Sequence, residues 1–165
     1  MSSAVKNKIQ KKISGLSGAE KIHIGIVVSE WNPVITNALL EGSLEILLKS
    51  GIRKENIIVA KVPGSFEIPL GAQLLSNHKM VDAVICLGCI IKGETKHAGY
   101  ISSAASTALM QLSIIHGKPF VFGILTTKNL LQAKERSGGK HGHKGKEAAI
   151  TALKMISLKR QILKK

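Results

Sequence analysis

Four short runs rich in valine and isoleucine, at residues 22–28, 56–62, 82–88 and 119–124, punctuate the chain, each bounded by Gly, Pro, Asn or Asp. Runs of this length and composition read as strands, and their unbroken apolar character suits parallel strands covered on both faces. Helical periods alternate with them. Residues 33–50 follow Asn32-Pro33, an expected N-cap and a proline at the first helical position. Residues 97–116 carry apolar side chains at 98, 101, 105, 108, 112 and 115, a stripe in steps of three and four that Gly117 closes. Residues 127–136 and 144–158 are two further helices, and another follows the loop at 63–69.

The order βαβαβαβαα predicts an α/β protein: a three-layer α/β/α domain around a mainly parallel four-stranded sheet, flavodoxin-like, with right-handed crossovers. With 165 residues there is room for one such domain and hardly for two. The expected division is a basic flexible arm at 1–21 with an extra N-terminal strand allowed for in it, a single domain at 22–158, and a basic tail at 159–165. In open parallel sheets ligands bind outside the carboxyl ends of the strands, so the loops at 29–32, 63–69, 88–97 and 123–127 should carry the function.

The net charge of +14 invites a nucleic-acid reading. Its placement argues otherwise. Residues 1–21 hold five lysines against one glutamate, and residues 134–165 hold ten bases against two acids, while the segment between is nearly balanced. A basic fringe on a neutral body is a solvated surface more often than a binding stripe, and it lacks the interleaved aromatics of a single-strand platform. Nucleic acid is therefore not an expected partner. No apolar run approaches the ~18–20 residues of a membrane span, and the polar N-terminus lacks a secretory h-region, so a cytoplasmic protein is expected. Cys86 and Cys89 form a Cys-x-x-Cys, but Cys86 lies in an apolar strand, where residues three apart point to opposite faces. A core cysteine is the expectation at Cys86.

The first loop, Ser29-Glu30-Trp31-Asn32-Pro33, offers the sole tryptophan as a flat face for a planar heterocycle. In Pro63-Gly64-Ser65-Phe66-Glu67-Ile68-Pro69, two prolines stiffen the loop and Gly64 permits an unusual backbone angle. Ser65 and Glu67 could bond a hydroxylated ligand there, or Glu67 could simply complement the next helix start. In the loop from Gly88 to His97, Gly93-Glu94-Thr95 precedes a helix, so its free amides make a natural phosphate site. Thr95 can cap that helix or bond the anion. His97, in the first turn, is expected to be neutral near pH 7 and able to pass protons. The glycines after Arg136 are not a P-loop, because Gly145-Lys146 is followed by Glu147 rather than Ser or Thr. His141-x-His143 has no carboxylate pair or cysteine to complete a metal site, and no metal is expected.

Together the motifs resemble the 6,7-dimethyl-8-ribityllumazine synthase family. The matching pieces are Trp31-Asn32, Pro63-Gly64-Ser65-Phe66-Glu67-Ile68-Pro69, Leu87-Gly88-Cys89-Ile90-Ile91-Lys92-Gly93-Glu94-Thr95-Lys96-His97, Phe122-Gly123-Ile124-Leu125-Thr126-Thr127, and Gln132-Ala133-Lys134-Glu135-Arg136 with the Gly- and Lys-rich run ending at Gly145. The resemblance implies an enzyme of riboflavin biosynthesis, a transferase, that joins a ribitylamino-pyrimidinedione to a dihydroxybutanone phosphate without metal or organic cofactor. It implies Trp31 stacked on the pyrimidine, Ser65, Phe66 and Glu67 along the ribityl chain, and Cys89, Ile90 and Ile91 lining the pyrimidine pocket. Glu94, Thr95 and Arg136 would hold the phosphate, and His97 would transfer protons. Phe122, Arg136 and Lys144 would be delivered by a neighbouring copy in a homo-oligomer, pentameric or built further into a shell. Riboflavin synthase is an implied partner.

The chain departs from the family at Ala98 and Gly99, where an aromatic and an acid are common, and at His143, where asparagine is common. Three rival functions are a riboflavin-synthase-type enzyme of similar fold, a non-catalytic shell or flavin-binding protein, and a nucleic-acid binder. The phosphate contacts at Thr95 and Arg136 weigh against the first, and retention of His97 and Arg136 against the second.

Overall fold

The computed structural model describes residues 16–77 and 81–163. Strand β1 (Ile24–Ser29) leads through helix α1 (Pro33–Lys49) to β2 (Ile57–Val62) and helix α2 (Ile68–Ser76). Then come β3 (Ala83–Ile91), α3 (His97–His116), β4 (Phe120–Thr127), α4 (Leu130–Arg136) and α5 (Lys144–Leu163). The four strands form one sheet in the order β2-β1-β3-β4, every neighbouring pair parallel. The three-layer α/β/α architecture expected from the alternation is the one observed.

Every residue of β1 is buried, as are all but the last of β3, which is why both read as continuous apolar runs. Ile24, Ile26, Ile85 and Leu87 point to the side of α1, α4 and α5, against Leu39, Leu47, Ala133, Ala149 and Leu153. Val27, Val84, Cys86 and Ile90 point to the side of α2 and α3, against Ile68, Ala72, Ala105 and Leu109. Each large aliphatic side chain so buried contributes roughly 1.5–3 kcal/mol. Edge strand β2 is less covered, with Val59 exposed. On α3, Leu109 takes the buried place that the sequence stripe assigns to Ala108, and Ile115 is exposed.

Several boundaries differ from expectation. Strands β3 and β4 run on to Ile91 and Thr127 because they keep pairing with each other, from Val84↔Phe120 to Ile91↔Thr127, after the β1–β3 ladder stops at Val28↔Leu87. Residues 89–91 and 125–127, beyond the expected strand ends, are therefore strand. Helix α4 accordingly starts at Leu130 rather than 127, with the Asn129 side chain accepting from the Gln132 amide at 2.9 Å. Asn32, the expected N-cap of α1, sits at φ 60° and makes no capping bond.

The ends also depart. Residues 16–21, assigned to the flexible arm, fold onto the core: Ala19 is buried and Leu16 packs beside it. They form a 3-10 turn at Ala19–Lys21, not a strand, and residues 1–15 lie outside the described residues. Helix α5 continues past 158 to Leu163, where Lys159 donates to the Gly117 carbonyl at 2.7 Å and Arg160 to that of Ser17 at 3.3 Å. Cys86 and Cys89 are free and buried on opposite sides of the sheet. Burial pushes the Cys89 thiol up to about 11 and that of Cys86 higher still, which suits packing rather than redox chemistry.

Helices α1 and α5 approach unusually closely where α5 begins. Ser43 Oγ donates to the Gly145 carbonyl at 2.8 Å, and a Cβ on Gly145 would run into the Leu39 backbone. Gly145→Ala is expected to destabilise the protein by about 3 kcal/mol through overpacking against a backbone that cannot yield, read as a lower denaturation midpoint. An unchanged midpoint would contradict this packing.

Candidate active site

Strands β2 and β3 lie on either side of β1, so the chain direction of the sheet switches there and a crevice opens at the carboxyl ends. Three hydrogen bonds tie the loops across it. The Glu30 amide donates to the Val62 carbonyl at 2.8 Å and the Trp31 amide to that of Pro63 at 3.1 Å. Asn32 Nδ2 donates to the Cys89 carbonyl at 3.0 Å, joining the first loop to β3. This bridge explains the left-handed backbone at Asn32: the side chain that could cap α1 is turned to the neighbouring strand instead.

Trp31 is 61% exposed, and its indole lies over Gly64. A Cβ at Gly64 would come within 2.5 Å of the ring, so this glycine serves close approach, not the unusual backbone angle expected of it. Glu67 Oε2 accepts from the Gly64 amide at 3.0 Å while the Glu67 amide donates to the Gly64 carbonyl at 3.2 Å. This reciprocal clasp occupies one carboxylate oxygen and leaves the other free among the described residues. Phe66 is exposed beside it. Ser65 is buried over Gly88, with its hydroxyl unpartnered, and the Ser29 hydroxyl at the end of β1 is buried and unpartnered too. Buried hydroxyls without partners are uncommon and mark places where water or a ligand hydroxyl belongs.

The turn between β3 and α3 exposes Gly93, Glu94, Thr95 and Lys96, whose amides meet no protein acceptor among the described residues. Thr95 Oγ1 accepts from the His97 amide at 3.3 Å, although the N-cap position itself falls on Lys96, which makes no side-chain capping bond. His97 opens α3 with its side chain exposed. Glu94 and Thr95 line a hollow of about 880 Å³ with Ile90, Lys92, Lys128 and Gln132. Exposed amides at a helix start, with Lys92, Lys96 and Lys128 on the same hollow, are chemically suited to an anion.

Phe122, Arg136 and Lys144 lie elsewhere. Phe122 and Lys144 border a groove of about 650 Å³ along the β4 edge, with Met110, Ala148 and Met155, which shares no residue with the first hollow. Arg136 ends α4 and is exposed. A single β-bridge pairs Ser137 with His143, which sets Arg136 beside Lys144 at the two ends of the intervening loop. Lys144 pairs with Glu147 at 2.7 Å. Within that region Lys140, 2.9 Å from Glu135, holds the Glu135 carboxyl below its ordinary range.

The expected site residues thus fall into two groups: Trp31, Ser65, Phe66, Glu67, Cys89, Ile90, Ile91, Glu94, Thr95 and His97 at the strand ends, and Phe122, Arg136 and Lys144 at the β4 side. Sequence reasoning missed the Asn32 bridge, the Ser29 hydroxyl and the contribution of Lys92 and Gln132. Lys92 and Gln132 stand inside the quoted motifs, so their polarity in those runs was the available signal. Among the described residues no three His, Cys, Asp or Glu side chains gather as metal ligands, and no helix is long and apolar enough to cross a membrane.

Residues 21–160 match the family model described as 6,7-dimethyl-8-ribityllumazine synthase. A protein of that name from Cytophaga hutchinsonii is 54% identical over 159 residues, covering 95% of this chain and 98% of the relative. Its counterpart from Parabacteroides distasonis is 44% identical over 157 residues, 95% of this chain and 98% of the relative. That from Porphyromonas gingivalis is 43% identical over 160 residues, 97% and 99%.

Gly64→Ala should displace the indole, since the added methyl occupies its place. Trp31 is the sole tryptophan, so the change is expected in the emission maximum and anisotropy of the protein's fluorescence. Superimposable spectra would contradict the stacking.

Proposed function

Because the chain belongs to the 6,7-dimethyl-8-ribityllumazine synthase family, we propose a division of labour among its site residues for that family's reaction. The enzyme acts in riboflavin biosynthesis, condensing 5-amino-6-(D-ribitylamino)uracil with 3,4-dihydroxy-2-butanone 4-phosphate to 6,7-dimethyl-8-ribityllumazine, with release of phosphate and water. The observation that carries the residue assignment is the row of unpartnered amides at Gly93, Glu94, Thr95 and Lys96 opening α3, with His97 as the first helical residue.

The pyrimidinedione lies on Trp31, with Cys89, Ile90 and Ile91 along its edge. The ribityl chain runs past the free Ser65 hydroxyl, Phe66 and the open oxygen of Glu67. The butanone phosphate sits on the Glu94 and Thr95 amides. The 5-amino group attacks the butanone carbonyl, and loss of water gives an imine. Phosphate is then eliminated to leave a ketone, the ribityl-bearing nitrogen adds to that carbonyl to close the ring, a second water is lost, and His97 carries protons between these steps. Much of the acceleration comes from holding two reactants together.

Arg136, Lys144 and Phe122 complete the site from a neighbouring copy. Two features support this: Phe122 and Lys144 border a hollow that shares no residue with the one lined by Glu94 and Thr95, and the exposed apolar side chains Met110, Ile114, Ile115 and Phe122 suit a covered surface. We place the protein in a pentamer on the family's pattern, with riboflavin synthase, which uses the product, as the proposed partner. A phosphorylated and a polyhydroxylated substrate do not cross membranes unaided, which suits work in the cytoplasm.

Purified protein mixed with both substrates should form the lumazine chromophore faster than the uncatalysed control; no increase from a folded, assembled sample would contradict the activity. His97→Ala should lower kcat by about tenfold or more with little change in KM, because it removes proton transfer rather than binding. Arg136→Ala should raise KM for the butanone phosphate by about tenfold or more through loss of a charge-assisted contact.

A further inference from the structure

His143 occupies a position that neither the fold nor the proposed chemistry accounts for. Its ring fills the space that a Cβ on Gly42 of α1 would take. It is also the residue that bridges Ser137, so one side chain contacts helix α1 while its backbone closes the loop from 137 to 143. Arg136 immediately precedes that loop and Lys144 immediately follows it. The Gly138 amide donates to the Gly142 carbonyl at 3.1 Å, and Gly142 adopts φ 93°, so the loop is tightly folded between these anchors. Nδ1 of His143 is buried and meets no partner.

We propose that His143 is a positioning residue: its imidazole, seated on Gly42, locks the 137–143 loop to α1 and thereby fixes Arg136 beside Lys144 for the phosphate-bearing substrate. The inference rests on the proposed reading of Arg136 and Lys144 as phosphate contacts. The ring serves in its neutral form. A neutral imidazole can keep its proton on Nε2 and leave the buried Nδ1 bare, whereas a protonated ring would bury an unpaired N–H. Burial lowers the His143 pKa from the ordinary imidazole value, and Lys146 adds to this, while Glu45, Glu147 and Glu41 oppose it. Lys146 and Lys49 are paired with Glu45, and Lys144 with Glu147, so the facing carboxylates are partly neutralised.

The sign follows from linkage. A histidine whose seated pKa is depressed binds fewer protons seated than released. Seating is fully favourable above the released value of about 6.5 and weakens as pH falls below it. Acid should therefore loosen the loop and weaken binding of the phosphate substrate.

The test uses the assembled enzyme and compares wild type with His143→Ala, His143→Asn and Arg136→Ala. KM for each substrate and kcat are measured at pH 8, with KM for the butanone phosphate repeated at pH 5.5. His143→Ala should raise KM for the butanone phosphate about tenfold, as expected for a displaced contact, with KM for the pyrimidinedione within about twofold. His143→Asn, which keeps a short polar side chain without a titratable ring, should restore most of that loss. The rise in KM from pH 8 to 5.5 should be about threefold smaller in His143→Asn than in wild type, the substrate's own ionisation being common to both. Equal effects on both KM values in His143→Ala, or identical pH dependence in wild type and His143→Asn, would overturn the proposal. If His143→Ala does not fold, the comparison with His143→Asn still decides. A failure of Arg136→Ala to affect KM for the butanone phosphate would instead fault the underlying site reading; an effect there without one at His143 would fault only this inference.

Discussion

Burying β1 and β3 between two layers of helices leaves their backbone amides and carbonyls no water to bond, so each must pair with the strand beside it. Parallel pairing in fixed register then brings the carboxyl ends of all four strands to one edge, with Ser29 level with Val62 and Ile91 level with Thr127. The loops at 29–32, 63–69 and 92–96 all leave from that edge. The indole of Trp31 and the Glu67 carboxylate meet at Gly64, the free amides before α3 follow the end of β3, and the Asn32 bridge to Cys89 ties the first loop to that strand.

The second organising contact is between α1 and α5. Small residues there, Gly42, Ser43 and Gly145, let the helices meet at backbone distance. The loop that carries Arg136 and Lys144 is anchored at the same place through His143. One end of the sheet thus presents the groups suited to a planar, hydroxylated ligand and a phosphate, while Arg136 and Lys144 flank the bridged loop at the α4–α5 corner. The hollow lined by Glu94 and Thr95 and the groove lined by Phe122 and Lys144 share no residue. That separation suits the proposed site shared between copies.

The strand runs were legible because burial on both faces removes polar residues, so the apolar pattern survives without tertiary information. The unpaired amides before α3 were legible for a different reason: a glycine, an acid and a threonine before a helical period mark such amides whatever the surroundings. Other features depend on contacts that no local pattern encodes. The extension of β3 and β4 past Leu87 follows from their pairing with each other, and Gly64 is small because of an indole brought from another loop. Asn32 reads as a cap until Cys89 is placed beside it. Leu16 and Ala19 look like part of a basic arm, yet the core accepts them. His143 looked like half of an incomplete metal pair, and only its seat on Gly42 gives it a role.

Subunit complementation tests the split site most directly. His97→Ala and Arg136→Ala proteins, each impaired in its own assembly, are unfolded together in equal amounts, reassembled and assayed for lumazine formation. If each site combines His97 from one copy with Arg136 from another, random mixing leaves about a quarter of the sites with both native groups, and activity should recover toward about a quarter of wild type. Activity that stays at the average of the two separately reassembled variants would contradict the account.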